Sequence, residues 1–207
     1  MKAIFFDFDG VLTRDKSGSL TTLRYLSDQT GIDLGQLQTA FKKFNTALNC
    51  GTVTHHDIWP DLCSVLPLQI NESLLLPAFE STPINTGMVE LARALRERYF
   101  VGIITDNKKD RIDHLKVHLG LSAIFDPIVV SAEIGSGKEA GVIFQYALSH
   151  LGIDPGESVF IDNSKGNLVA PNALGMNTVY FDDETNDLQA LITTLKAAYG
   201  VRVAGDA

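Results

Sequence analysis

The chain has 207 residues, 45% of them hydrophobic and 20% charged, with a formal net charge of -8. That composition is ordinary for a globular protein with a full core and excludes disorder, while the acidic balance argues against nucleic-acid binding, which needs a basic face. No apolar run approaches the ~18 residues of a membrane span.

Met1-Lys2 leads directly into the first apolar run, leaving no room for a signal peptide. Cys50 and Cys63, the only cysteines, are spaced as neither a zinc cluster nor a disulfide framework. A cytoplasmic protein with two reduced thiols is the expectation.

Ala3-Ile4-Phe5-Phe6 reads as a buried strand that runs into Asp7-Phe8-Asp9-Gly10. Two carboxylates two residues apart on a strand point the same way. Like charges that close disfavour each other's ionisation, so a cation is expected between or beside them. A metal ion meets that need, leaving one carboxylate to attack and the other to handle protons.

Residues 16–81 read as helices. Leu20, Leu23 and Leu26 mark one, ended by Gly31. Leu37, Ala40, Phe41, Phe44 and Leu48 mark a second, with Gly51 beyond it. Thr54 caps a third through about Leu66, and 71–79 form a fourth.

From about residue 84 strands and helices alternate. A helix at 86–98 precedes the strand Phe100 to Ile104. A helix at about 108–119 follows, capped by Asp106 or Asn107 and closed by Gly120. Ile128-Val129-Val130 is a strand, 139–151 a helix, Val159-Phe160-Ile161 a strand, and 165–174 a helix ending at Gly175. Thr178 to Phe181 and a helix at 184–198 complete the series, and 200–207 read as a loose tail. Such alternation predicts an α/β fold with a parallel sheet covered on both faces.

Polar residues gather at the predicted strand ends: Asp7 and Asp9, Thr105-Asp106-Asn107, Lys138 beyond the third strand, and Asp162-Asn163. Ligands of open parallel sheets bind outside those ends. In this order the segments resemble the haloacid dehalogenase (HAD) superfamily, specifically its capped phosphohydrolases. DxDG is matched by Asp7, Asp9 and Gly10, the strand-end Ser/Thr by Thr105, the lysine by Lys138, and the acidic pair by Asp162-Asn163. The resemblance implies a doubly wound, Rossmann-like core of residues 1–15 and 82–207 with an all-helical cap at 16–81.

The resemblance also implies roles. Asp7 would attack phosphorus and form an aspartyl-phosphate, and Asp9 would protonate the leaving oxygen and then activate water. Mg²⁺ would be held by Asp7, the backbone carbonyl of Asp9 and the pair Asp162-Asn163. Thr105 and the Asp106 N–H would hold phosphate oxygens, with Lys138 pairing Asp7 and the transferring group. Two positions depart from the family pattern. Asn163 supplies an amide where a carboxylate usually meets the metal. Asp106 stands where Asn is common, and its side chain is expected to turn towards the following helix.

The expected activity is a Mg²⁺-dependent phosphatase acting on a small phosphorylated metabolite. The alternatives are a phosphomutase or phosphotransferase of the same fold, or a metabolite-binding protein without turnover. His55-His56 near Trp59 do not share a helix face and make a weak recognition signal. Lys42, Lys43, Lys108, Lys109 and Arg111 read as solvated helix faces, and Phe41 and Phe44 as cap core.

Overall fold

A computed structural model describes residues 1–203. Five parallel strands, β1 (Ala3–Phe6), β2 (Phe100–Thr105), β3 (Ile128–Val130), β4 (Ser158–Asp162) and β5 (Asn177–Tyr180), form one sheet in the order β3-β2-β1-β4-β5. The period of two along β1 explains its burial on both sides. Ile4 and Phe6 join one apolar cluster, which continues into the helical insert, while Ala3 and Phe5 join the other with Phe144 and Phe160. The sheet is thus dry on both faces, as parallel sheets require.

Among the described residues six α-helices separate β1 from β2, and the first five form the insert: α1 (Gly18–Thr30), α2 (Leu34–Lys42), α3 (Asn45–Asn49), α4 (His55–Val65) and α5 (Leu75–Glu80). Ser17 caps α1, and Gly31 ends it in the left-handed region at φ 73°. The single helix expected over 37–48 is two: a turn at Lys43-Phe44, closed by the Phe44 N–H donating to the Phe41 carbonyl at 3.0 Å, separates α2 from α3. Thr54 and Asp57 form a capping box on α4. The two crossings between insert and sheet pair antiparallel at Thr13 and Ile84, supported by Arg14 N–H to Pro83 carbonyl at 2.8 Å.

The remaining helices are α6 (Thr86–Arg96), α7 (Lys109–His118), α8 (Ser131–Ile134), α9 (Val142–Leu151), α10 (Val169–Ala173) and α11 (Leu188–Tyr199). Neither Asp106 nor Asn107 caps α7; Lys108 precedes it without a side-chain cap, because both neighbours are engaged at the strand ends. The expected loose tail is corrected over 200–203: Val201 is buried and its N–H donates to the Leu195 carbonyl at 3.1 Å. Residues 204–207 lie outside the described residues. Among the described residues no helix is long and apolar enough to cross a membrane.

Candidate active site

The sheet order places β1 next to β4, where the winding reverses, and this is where open α/β sheets bind ligands. After Phe6 the chain leaves the strand through Asp7 and turns tightly over Phe8–Leu12, with Gly10 at φ 84°. A Cβ at Gly10 would lie 2.1 Å from the Asn163 amide nitrogen, so only glycine lets the turn after β1 pack on the loop after β4.

The chain itself supplies a cation to each of the two N-terminal carboxylates, a different one in each case. Lys138 Nζ lies 2.7 Å from Asp7 Oδ1 and 2.7 Å from Asp162 Oδ2, all three side chains being buried. Burial works against the ammonium, but Asp7 and Asp162 outweigh it and hold its pKa above the usual lysine value. Two carboxylates share that one ammonium. Burial accordingly pushes the Asp7 carboxyl up to about 7; Lys138 opposes the rise and Asp162 adds to it. The Phe8 N–H also donates to Asp7 Oδ1 at 2.7 Å, which leaves Oδ2 for chemistry. Asp162 accepts further from the Ser164 N–H at 2.7 Å and from Asn167 at 3.1 and 3.2 Å.

Asp9 does not share the Lys138 pair. Arg111 Nη1 donates to its Oδ2 and Nη2 to its Oδ1, both at 3.0 Å, and Asn107 Nδ2 donates to Oδ2 at 2.8 Å. The expectation that Lys108 and Arg111 lie on a solvated helix face is therefore corrected: Arg111 is 1% exposed and Lys108 is 8% exposed. The site begins where β2 ends, so the first turn of α7 points into it. Burial lowers the Lys108 pKa to about 8, and its ammonium donates to Ser19 Oγ at 2.6 Å. Spacing held the missed signal: Asn107 and Arg111 stand four residues apart, and the Asn107 Oδ1 accepts from Arg111 at 3.0 Å.

Arg111 also meets both crossings to the insert. Its Nη2 donates to Thr82 at 3.1 Å, and a Cβ at Gly18 would fall 2.1 Å from its guanidinium carbon. His55, at the start of α4, is buried and donates its N–H to Asp110 at 2.8 Å, while its Nδ1 pairs with the same carboxylate. Burial raises the Asp110 pKa, but the His55 contacts outweigh it and hold the carboxyl below its ordinary value.

The structure brings the sequence-predicted residues to one cavity of about 720 Å³. Asp7, Asp9, Thr105, Asp106, Lys138 and Asn163 line it, and Asp162 lies behind Lys138. Asp106 does not turn towards α7; its Oδ1 accepts the Lys138 N–H at 3.0 Å, steadying the lysine loop. Burial raises its pKa, with Lys138 opposing. From the insert, Leu23, Phe41 and Leu48 form an apolar wall, and Lys42 reaches the same space. The cleft is lined by the carboxylates of Asp7 and Asp9 and the amide of Asn163, whose hard oxygens suit Mg²⁺ and not a soft metal.

The fold and this cleft define a Rossmann-like α/β enzyme with a carboxylate-centred site. The haloacid dehalogenase-like hydrolase model matches residues 1–193. The chain is 30% identical over 160 residues to pyrimidine 5'-nucleotidase YjjG of Escherichia coli K12, covering 72% of this chain and 71% of that protein. It is 30% identical over 119 residues to bifunctional epoxide hydrolase 2 of Rattus norvegicus, across 55% of this chain but only 22% of that protein. The magnesium complex of the HAD family enzyme bt-2542 from Bacteroides thetaiotaomicron shares the fold. It has TM-score 0.75 and 20% identity, and the match covers 93% of this chain and 98% of that one. The chain belongs to the haloacid dehalogenase-like hydrolase family and is a hydrolase.

Proposed function

We propose that this hydrolase is a Mg²⁺-dependent phosphatase that cleaves a small phosphomonoester through an aspartyl-phosphate on Asp7. The observation that carries the reading is Lys138 bridging Asp7 and Asp162 at 2.7 Å each on the floor of a cavity whose size suits a small metabolite. Asp7 Oδ2 attacks phosphorus in line, and Lys138 neutralises the nucleophile and the transferring oxygens. The Thr105 hydroxyl and the Asp106 N–H hold the other phosphate oxygens.

Asp9 gives a proton to the leaving oxygen and later takes one from the attacking water. A carboxylate offers about four acceptor positions, and Arg111 and Asn107 use one on Oδ1 and two on Oδ2. The proton therefore moves at Oδ1. Asp7, the Asp9 carbonyl and Asn163 would hold the metal, which when bound supplies charge neutralisation for the two carboxylates and the phosphate. Asp162 has four contacts from Lys138, Ser164 and Asn167. It acts by holding Lys138 and leaves direct ligation to Asn163.

In this reading residues 1–15 and 82–207 are the catalytic core. Residues 16–81 are a cap whose apolar wall takes the organic body of the substrate and excludes water during attack. Kinship with a pyrimidine nucleotidase favours a nucleoside or sugar monophosphate. The free thiols Cys50 and Cys63 fit a reducing cytoplasmic setting. A panel of phosphorylated metabolites, assayed for phosphate release with Mg²⁺ and with chelator, tests the proposal. Release is expected only with Mg²⁺, and Asp7→Asn should abolish it; an Asp7→Asn protein as fast as the parent would overturn the nucleophile assignment.

A further inference from the structure

Away from the cleft, two histidines and a glutamate converge where the insert returns to the core. His114 Nε2 lies 2.9 Å from Glu80 Oε1, and His118 Nδ1 lies 3.5 Å from the same oxygen. The potential ligand atoms all fall within 4.8 Å of one another. Ligands held about 2.0–2.1 Å from a tetrahedral ion sit roughly 3.3–3.5 Å apart, so small side-chain adjustments would admit one. We propose that Glu80, His114 and His118 form a binding site for a transition-metal dication of the Zn²⁺ class, joining α5 of the insert to α7 of the core.

Three features favour the assignment over a chance surface cluster. His114 and His118 are one helical turn apart, so their imidazoles leave the same face of α7; the rings stack with centroids 5.9 Å apart and planes at 16°. The His114 ring also rests on buried Phe79, with centroids 6.3 Å apart, next to the residue that supplies the carboxylate. His118 stands in the last turn of α7, where the helix dipole favours positive charge.

Two imidazoles with one carboxylate select Zn²⁺, Co²⁺ or Ni²⁺ over Mg²⁺ and Ca²⁺, which prefer all-oxygen sets. The side chains of Glu80 and His118 are 39% and 40% exposed, so an ion can enter from solvent and water can fill the fourth position. Once bound, the ion would hold the end of the insert to α7 and stabilise the fold by mass action.

The test uses the full chain, stripped with chelator and then kept in excess Mg²⁺ so that the oxygen-lined cleft is occupied. Titration with ZnCl₂ by calorimetry should reveal a single saturable site and a raised Tm. Co²⁺ at the same site should give the visible bands of a tetrahedral, imidazole-bound ion. His118→Ala, at an exposed position, should weaken binding roughly tenfold or more. His56→Ala, which removes an exposed histidine paired elsewhere with Glu72, should leave binding intact. Absence of saturable Zn²⁺ binding, or binding unaltered by His118→Ala, would overturn the proposal.

Discussion

Replacing Arg111 by Met tests whether Asp9 is held by its bidentate partner. The change removes four hydrogen bonds: two to Asp9, one to Asn107 and one to Thr82. Breaking a buried ion pair costs about 3–5 kcal/mol because a charge is left uncompensated. The Asp9 side chain is 14% exposed towards the cavity, so water replaces part of the loss, and about 2–4 kcal/mol of destabilisation is expected. Asp9→Asn removes the charge that needs a partner, so the double variant should be less destabilised than the sum of the singles. Urea denaturation of the four proteins at neutral pH should give a coupling energy of about 1–3 kcal/mol. In activity, kcat should fall roughly 10–100-fold with little change in KM, since Arg111 orients the carboxylate proposed to handle the proton and is not among the proposed phosphate ligands. Arg111→Lys should recover little, because an ammonium cannot span both carboxylate oxygens. A coupling energy indistinguishable from zero would refute the reasoning.

The Asp7 carboxyl stands at about 7 in the folded protein against 3.8 when unperturbed. The folded state therefore binds more protons between those values, and stability falls as pH rises through that window. In metal-free protein Asp7→Asn should be more stable than the parent by roughly 1–4 kcal/mol above pH ~7, with the gap closing near pH ~4; chelator-treated thermal melts across pH check this, and parallel curves would contradict it. Asn163→Asp adds charge at the proposed ligand position and should lower the Mg²⁺ concentration for half-maximal activity roughly tenfold, a shift of about 1.4 kcal/mol. An unchanged Mg²⁺ requirement would move ligation away from residue 163. Gly18→Ala drives a methyl into the Arg111 guanidinium and should cost about 1–3 kcal/mol while lowering kcat as Arg111→Met does; a silent substitution would detach the insert from Asp9.

The order of elements was legible because β1, β2 and β4 are apolar runs of strand length and the intervening helices carry an apolar stripe. Asp7 and Lys138 were legible for a different reason: the motif residues sit at strand ends, and a parallel sheet aligns those ends along one edge. The partners of Asp9 were not. A Lys-Lys-Asp-Arg run has the composition of a solvated helix start, and only the tertiary position of α7, with its first turn at the carboxyl edge of β2, turns Lys108 and Arg111 inward. The break at Lys43-Phe44 was equally invisible, since no glycine or proline marks it and the apolar spacing continues through Leu48.

Helix α7 ties the insert to the core at several points along its length. Along α7 and the residue before it, Lys108 meets Ser19, Asp110 meets His55, Arg111 meets Thr82 and approaches Gly18, and His114 meets Glu80. Every partner belongs to the insert or its crossings, and all five elements of α1 to α5 lie within one excursion of the chain between β1 and β2. Any movement of that insert away from the sheet must first disengage contacts on α7. Arg111 is the contact with most at stake, because it alone in that series also grips the carboxylate proposed to move the proton. In the proposed mechanism, exchange of substrate and the positioning of Asp9 are thus coupled through the same buried guanidinium. That coupling gives a physical reason for a buried arginine at a place where a surface residue would have satisfied the helix.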